Sequence, residues 1–387
     1  MLLTQFLGAL NDNILRFLIV YFILTKLDLA PNSAGIYIAL SGAIFTLPFL
    51  FLSPLAGQWT DRRSKRSVLI ITKSWEIPSM ILAFLGLWLG DLNVLLLALF
   101  LTACQAAFFG PAKYAIIPEL VRIEELSYAN AWIGGSTFLG ILMGATAAGG
   151  LADLGNIILS GALLVAIAFI GFGAAFFIGS TNPPLKPPVF HYNLAREAWS
   201  LLLEIKKINS IWLSALLISY LWFLGALLQL LLPQFGKAYL QLSASVTQTL
   251  LFAAALGIIS GCFLAGNLSG EKIRLNISKI GISGMALSTF GLSLGSPNYW
   301  LAFFWLLLLG ISGGLFIIPL YALMQRNAPA ARRGRTIAAN NLLNTIALLC
   351  ASLFLYLGSL LKLSSQMIIL VIALLSIVIT IFFVRLR

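Results

Sequence analysis

Charged side chains are scarce in this chain: Asp, Glu, Lys and Arg make up 9% of its 387 residues. Soluble domains carry about a quarter, so there is too little charge here to clothe a water-facing globule. Histidine occurs once, at His191. That leaves no His-based acid–base constellation, argues against an enzyme, and makes His191 a solvated side chain rather than a ligand. Cysteine occurs three times, at Cys104, Cys262 and Cys350, each in a separate apolar stretch without metal-ligand spacing. These are read as packing residues, and neither a metal nor a cofactor is expected. Acidic residues number 12 against 24 basic ones, a net charge of +12, yet the excess does not form a nucleic-acid patch. It collects at Arg62–Arg66, at Arg122, from Lys186 to Lys207, at Lys272–Lys279, at Arg326–Arg335 and at the C-terminus, while the intervening loops carry Lys26, Lys237 and Lys362. Basic residues in alternate loops are a topology signal.

What the chain does have is apolar length. Hydrophobic residues make up 60% of it and the mean hydropathy is +1.00, which marks an integral membrane protein. Twelve spans of roughly twenty residues are expected, near 2–26, 33–56, 67–90, 92–117, 131–153, 156–179, 210–234, 245–268, 277–296, 299–324, 336–361 and 366–385. The basic bias puts both termini and the 180–209 connection in the cytoplasm. The first stretch lacks a basic leader and is interrupted by Asn11-Asp12-Asn13, so it reads as a span and not a cleavable signal. Pro183, Pro184, Pro187 and Pro188 begin an extended linker, and 193–207 can form a short surface helix. The expected organisation is an all-α membrane protein: a six-helix bundle over 1–179, a cytoplasmic linker over 180–209 and a second six-helix bundle over 210–387.

The first span carries the main polar anomaly. Asn11, Asp12, Asn13 and Arg16 lie near its middle, where each charge costs about 2.5–3.5 kcal/mol on insertion scales. Asp12 and Arg16 are spaced i,i+4 and share a helix face. They are either a self-neutralising ion pair or part of a functional site, and the extra donors and acceptors of the asparagines favour the site. Lys113, between Pro111 and Pro118 of the fourth span, either snorkels to the interface or supplies a point charge. Lys73 and Glu76, an i,i+3 pair early in the third span, read as structural and close to the boundary. Glycine-rich strips (Gly134, Gly135, Gly140, Gly144, Gly149, Gly150; Gly310, Gly313, Gly314) suit close helix packing and hinging.

The halves echo each other. The run Gly57 to Arg66 (GQWTDRRSKR) recurs 209 positions on as Gly266 to Arg274, and Ala129-Asn130-Ala131 recurs 210 positions on as Ala339-Asn340-Asn341. Parallel six-span repeats are a standard transporter plan. The first run resembles the loop 2–3 motif of the major facilitator superfamily, with Ser64 where that motif usually has glycine and Gly270 where the second copy has lost the aspartate. Gln5 to Asn13 (QFLGALNDN), Gly110 to Leu120 (GPAKYAIIPEL), Gly313 to Leu320 and Asn340-Asn341 resemble the lysophospholipid transporter family, whose members also occur fused to acyltransferase domains. The resemblance spans essentially the whole chain. The chain ends just after its last span, so no fused enzyme is expected.

The resemblance implies a transporter of lysophospholipids such as lysophosphatidylethanolamine, working by alternating access in the bacterial inner membrane for re-acylation on the cytoplasmic side. It implies membrane lipids and a cytoplasmic acyltransferase as partners, and the chain is expected to act as a monomer. Substrate contacts would come from Asn11, Asp12, Asn13, Arg16, Lys113, Tyr114, Trp222, Gln229, Asn340 and Asn341, with Asn344 adding a hydrogen bond. Lys113 and Tyr114 would meet a phosphate and Asp12 an ammonium. Gln229 stands where stand-alone members tend to have a basic residue, and Trp222 to Ala226 look more like the fused members. Gly57, Asp61, Arg62, Lys65, Arg66 and Glu119 would gate, with Asp61 facing a helix start; taken by itself, Glu119 reads first as a plain surface pair with a loop arginine. The rivals are a proton-coupled exporter of drugs or small metabolites on the same fold and a membrane scaffold or acyltransferase subunit.

Overall fold

The computed structural model describes residues 1–25, 31–185, 189–190, 193–242, 244–270, 272–294 and 298–385. Pro187, Pro188, His191 and Glu271 lie outside them. Among the described residues there are thirteen α-helices and no strand: α1 (Leu2–Thr25), α2 (Pro31–Arg62), α3 (Lys65–Leu89), α4 (Leu92–Leu120), α5 (Leu126–Leu154), α6 (Ile157–Ala175), α7 (Leu194–Lys206), α8 (Asn209–Ala238), α9 (Ala244–Ser269), α10 (Leu275–Leu294), α11 (Tyr299–Asn327), α12 (Arg333–Leu360) and α13 (Ser365–Arg385). All but α7 are long and apolar enough to cross a membrane. Lipid cannot satisfy a free backbone amide, so spanning segments this apolar must be helices or closed barrels, and these spans are helices.

The helices fall on the expected spans, with their basic ends running further. α2 continues through Asp61 to Arg62, α4 runs past Pro118 to Leu120, and α12 starts at Arg333. Pro111 and Pro118 therefore loosen α4 without ending it, as is common where neighbouring helices re-satisfy freed carbonyls. Ser64 serves as the N-cap of α3, its side chain accepting from the Ser67 amide at 3.4 Å. The departure from glycine there starts a helix.

The thirteenth helix is the short surface helix expected in the linker. Asn193 caps α7 by accepting from the Arg196 amide at 2.9 Å. α7 buries Glu197, Leu201 and Ile205, spaced i, i+4, i+8, and exposes Arg196, Trp199, Leu203 and Lys206. A helix with one buried stripe lies on a surface. Two of the buried-face positions, Glu197 and Glu204, are acids.

Packing divides the chain into two compact units. The first holds residues 1–120, 136–208 and 328–342; the second holds 121–135, 209–327 and 343–387. The opening of α5 thus packs with helices from the C-terminal half, and the opening of α12 with helices from the N-terminal half. Inside the first unit, Leu15, Ile19, Ile23, Leu95 and Leu99 form an apolar core. Gly140 and Gly144 of α5 lie against α1, where an added Cβ would stand 2.8 Å from the Phe6 carbonyl oxygen and 2.7 Å from that of Leu10. Inside the second unit, α9 and α11 meet through Gly257, Gly261, Gly310 and Gly314; a Cβ on Gly257 would stand 2.9 Å from the Gly310 Cα. Small residues let backbones approach where lipid gives no hydrophobic drive. Gly150, by contrast, has open space beside it, so the α5 strip is a packing face in part only.

Candidate functional site

Asn11, Asn13 and Arg16 of the first-span cluster each take a different partner. Asn11 is fully buried halfway along α1. Its amide donates to Glu76 Oε1 of α3 at 3.0 Å and to the Leu164 carbonyl of α6 at 3.1 Å. Glu76 is in turn paired with Lys73, both side chains 1% exposed. The sequence placed this pair near the membrane boundary. The structure encloses it in the bundle interior, beside Gly8 and Asn11 of α1 and Gly171 of α6. The Lys73 ammonium lies between α1 and α6, where an added Cβ on either Gly8 or Gly171 would stand 3.1 Å from Nζ. It also lies 5.8 Å from the centroid of the Phe109 ring on α4.

Asp12 and Arg16 do not pair. Among the described residues no salt bridge joins them; the Arg16 guanidinium instead lies 5.3 Å from the centroid of the Phe45 ring on α2. An i,i+4 spacing permits a pair, but an aromatic face from a neighbouring helix competes for an arginine on equal terms. Asp12 is half-buried, and its Oδ1 is enclosed without a hydrogen-bond partner. The charged groups acting on it are Glu76 and Lys73 of α3 and Lys113 of α4. Lys113 is also half-buried, its ammonium 4.6 Å from the centroid of the Tyr114 ring. Asn13 donates to the Ala9 carbonyl of its own helix at 2.8 Å. On the first-unit part of α12, Asn340 is fully buried with neither amide atom partnered. Asn341 approaches α4 where Gly110 leaves room for its Nδ2.

In the second unit, Trp222 of α8 is half-buried with its indole N–H unpartnered, and Gln229 is exposed. Asn344 of α12 accepts from Ser219 of α8 at 2.8 Å, a bond between helices.

The residues expected to gate form a second constellation at the basic end of the first unit. Asp61, 1% exposed, accepts from the amides of Gly334 and Arg335 at 2.7 and 2.8 Å. These are free donors of the first turn of α12, so the carboxylate caps that helix and meets its positive end. Two glycines make the contact possible: a Cβ on Gly57 would lie 2.6 Å from the Ala338 Cβ, and one on Gly334 would lie 2.8 Å from Asp61 Oδ1. Lys65 pairs with Glu119 at the end of α4 at 2.9 Å. Arg66 donates to the Phe176 carbonyl at 2.9 Å, while Arg62 faces Phe190.

The sequence alone does not single out Gly334, Arg335, Glu197, Glu204, Asn130 or Gln325 as site residues. Gly334 had no assigned part, and Arg335 had been counted only as loop charge. Arg335 is gripped by Glu197 at 2.8 Å and Glu204 at 3.4 Å, both from α7; Glu204 also holds Arg332 at 2.7 Å. The signal was available, since acids on the apolar stripe of a short amphipathic helix need cations. In the second unit, Asn130 at the start of α5 and Gln325 at the end of α11 exchange two amide hydrogen bonds of 2.7 and 2.9 Å.

The sequence profile of the Major Facilitator Superfamily matches residues 1–352. A relative from Yersinia enterocolitica, 30% identical over 91% of this chain and 85% of that protein, is named Lysophospholipid transporter LplT. The chain belongs to the major facilitator superfamily, in its LplT branch. A second LplT protein, from Pectobacterium carotovorum, is 30% identical over 88% of this chain and 81% of that one. Solved major facilitator structures share the fold. The human organic anion transporter MFSD10 matches with a TM-score of 0.79 at 15% identity, covering 98% of each chain. The transporter FucP, in the outward conformation, matches with a TM-score of 0.74 at 13% identity, covering 99% of this chain and 96% of that one. At those identities the structures speak for the major facilitator fold alone. This member is thus a multi-pass membrane protein of a transporter family, and its polar constellations stand on the fold of carriers.

Proposed function

We propose that this protein carries lysophospholipids, such as lysophosphatidylethanolamine, from the outer to the inner leaflet of a bacterial inner membrane by alternating access. On this reading both termini and α7 face the cytoplasm, where an acyltransferase restores the missing chain. The observation that carries it is the presence of opposite charges inside the first unit, Asp12 of α1 and Lys113 of α4, both half-buried and within electrostatic reach of each other, with one Asp12 oxygen lacking a hydrogen-bond partner. A zwitterionic headgroup needs an acceptor for its ammonium and a cation for its phosphate close together. Intramembrane charges are costly enough that they are retained chiefly where they serve a pathway or a site. The names of the relatives supply the substrate class, and Tyr114 beside Lys113 is an additional polar group for the phosphate. The single acyl chain stays in apolar surroundings while the headgroup crosses.

The test is uptake of labelled lysophosphatidylethanolamine by spheroplasts lacking their own lysolipid transporter, with the wild-type protein, Asp12→Asn and Lys113→Ala, each with and without an uncoupler. Uptake that depends on the protein and falls in both variants is the expected result. Absence of uptake by correctly inserted wild-type protein would refute the reading and favour a proton-coupled exporter. The uncoupler arm reports whether a gradient is needed.

A further inference from the structure

The Lys73–Glu76 pair is not absorbed by that function, and its burial needs a reason. Taking two charges out of water costs several kcal/mol per ion, and well-packed apolar residues often replace such a pair without loss of stability. Here the surroundings are built for it. Gly8 and Gly171 leave the slot that holds the ammonium, and Glu76 accepts from Asn11, whose amide also reaches the Leu164 carbonyl. Asn11 is the immediate neighbour of Asp12, so its side chain sets the azimuth of α1 at that level. The opposite side of α1 is held by Gly140 and Gly144 of α5. α1 is thereby clamped between α5 and the α3/α6 pair, leaving Asp12 directed away from both anchors.

We propose that Lys73 and Glu76 are positioning residues: Lys73 holds Glu76, Glu76 holds Asn11, and Asn11 fixes the rotation of α1 that presents Asp12 to the headgroup. The inference rests on the assignment of Asp12 to the headgroup. Lys73 and Glu76 both also act on Asp12 through their charges, so the geometric action, exerted through the acceptor at position 76, is read by comparing variants from which both charges are gone.

Two charge-neutral double variants of similar volume isolate that acceptor. Lys73→Met with Glu76→Gln keeps an oxygen for Asn11; Lys73→Met with Glu76→Leu removes it. Both take away the ion pair whole, which spares the fold an unpaired buried charge. The measurement is the concentration dependence of lysophosphatidylethanolamine uptake, normalised to inserted protein. The Gln double is expected to keep KM within about threefold of wild type. The Leu double is expected to raise KM by roughly tenfold, the worth of one hydrogen bond, at an unchanged maximal rate. Equal KM values in the two doubles, whether both normal or both raised, would overturn the proposal, as would a loss of maximal rate alone. Asp12→Asn runs alongside: if it leaves KM unchanged, the headgroup assignment fails, whereas a raised KM in Asp12→Asn with two unaffected doubles removes the positioning role only.

Discussion

Replacing Asp61 by asparagine should slow transport without weakening substrate binding. The carboxylate accepts two amide hydrogen bonds of 2.7 and 2.8 Å from the first turn of α12, one on each oxygen. Asparagine keeps one acceptor and turns an NH₂ group toward the other amide. One charge-assisted bond is lost, about 1.5–3 kcal/mol, together with the favourable meeting of a negative charge and a helix N-terminus, about 0.3–1 kcal/mol. The sum, roughly 2–4 kcal/mol, shifts the equilibrium between capped and uncapped helix ends by roughly 30- to 1,000-fold. A cycle that must pass through the capped arrangement then spends far less time in it, and the maximal rate falls. Gly334→Ala reaches the same end by sterics, since its Cβ would meet Asp61 Oδ1, the Gly57 carbonyl oxygen and the Thr60 Cβ, each at 2.8 Å. Spin labels on the ends of α2 and α12 report the separation, labelled lysophosphatidylethanolamine gives Kd, and spheroplast uptake gives the rate. An increased separation and a reduced rate at unchanged Kd are expected in both variants. A weakened Kd with the maximal rate intact in both would refute the gating assignment.

Three further outcomes follow from the same geometry. Glu197→Gln leaves Arg335, 11% exposed, with its partly exposed contact to Glu204 as its remaining acid; breaking a buried pair costs about 3–5 kcal/mol, so α7 should become more sensitive to protease, whereas Arg332→Ala, from a largely exposed pair, should change sensitivity little. Asn130→Ala and Gln325→Ala should each lower the melting temperature of the detergent-purified protein, and the double variant should add little to either, because the two bonds join the same two side chains. Gly171→Ala places a methyl 3.1 Å from Lys73 Nζ and Cε. It should raise KM for uptake, while Gly173→Ala, with open space beside it, should not.

The twelve spans were legible because lipid imposes length and apolarity on each helix independently. The polar anomaly at Asn11–Arg16 was legible for the same reason, since charges inside an apolar run stand out. How those side chains pair was not. The i,i+4 spacing allowed Asp12 and Arg16 either to neutralise each other or to serve a site, and it gave no hint that Phe45 of another helix takes the arginine. Likewise the basic loop before α3 suggested that Lys73 and Glu76 hug the boundary. Burial depends on which helices close around a side chain, and α1 and α6 enclose both residues. Partners drawn from other helices are invisible in a one-dimensional pattern.

The internal duplication shows the same limit most clearly. From the sequence, Gly270 looks like a lost aspartate, a decayed copy of Asp61. In the structure the two positions are not equivalent. α2 runs on through Asp61, so the carboxylate projects from a helix and can reach the α12 amides. α9 stops at Ser269, and Gly270 follows with φ of 54°. That left-handed backbone favours glycine, and it ends the helix before a side chain there could be presented as Asp61 is. At the start of α5 the anchoring is done instead by the neutral Asn130–Gln325 exchange. The charged cap on α12 and the amide clasp on α5 therefore differ in kind: the first depends on a full charge at a helix terminus, the second on two uncharged hydrogen bonds. A substitution that removes the charge at Asp61 should therefore weaken the cap on α12 and leave the amide clasp on α5 in place.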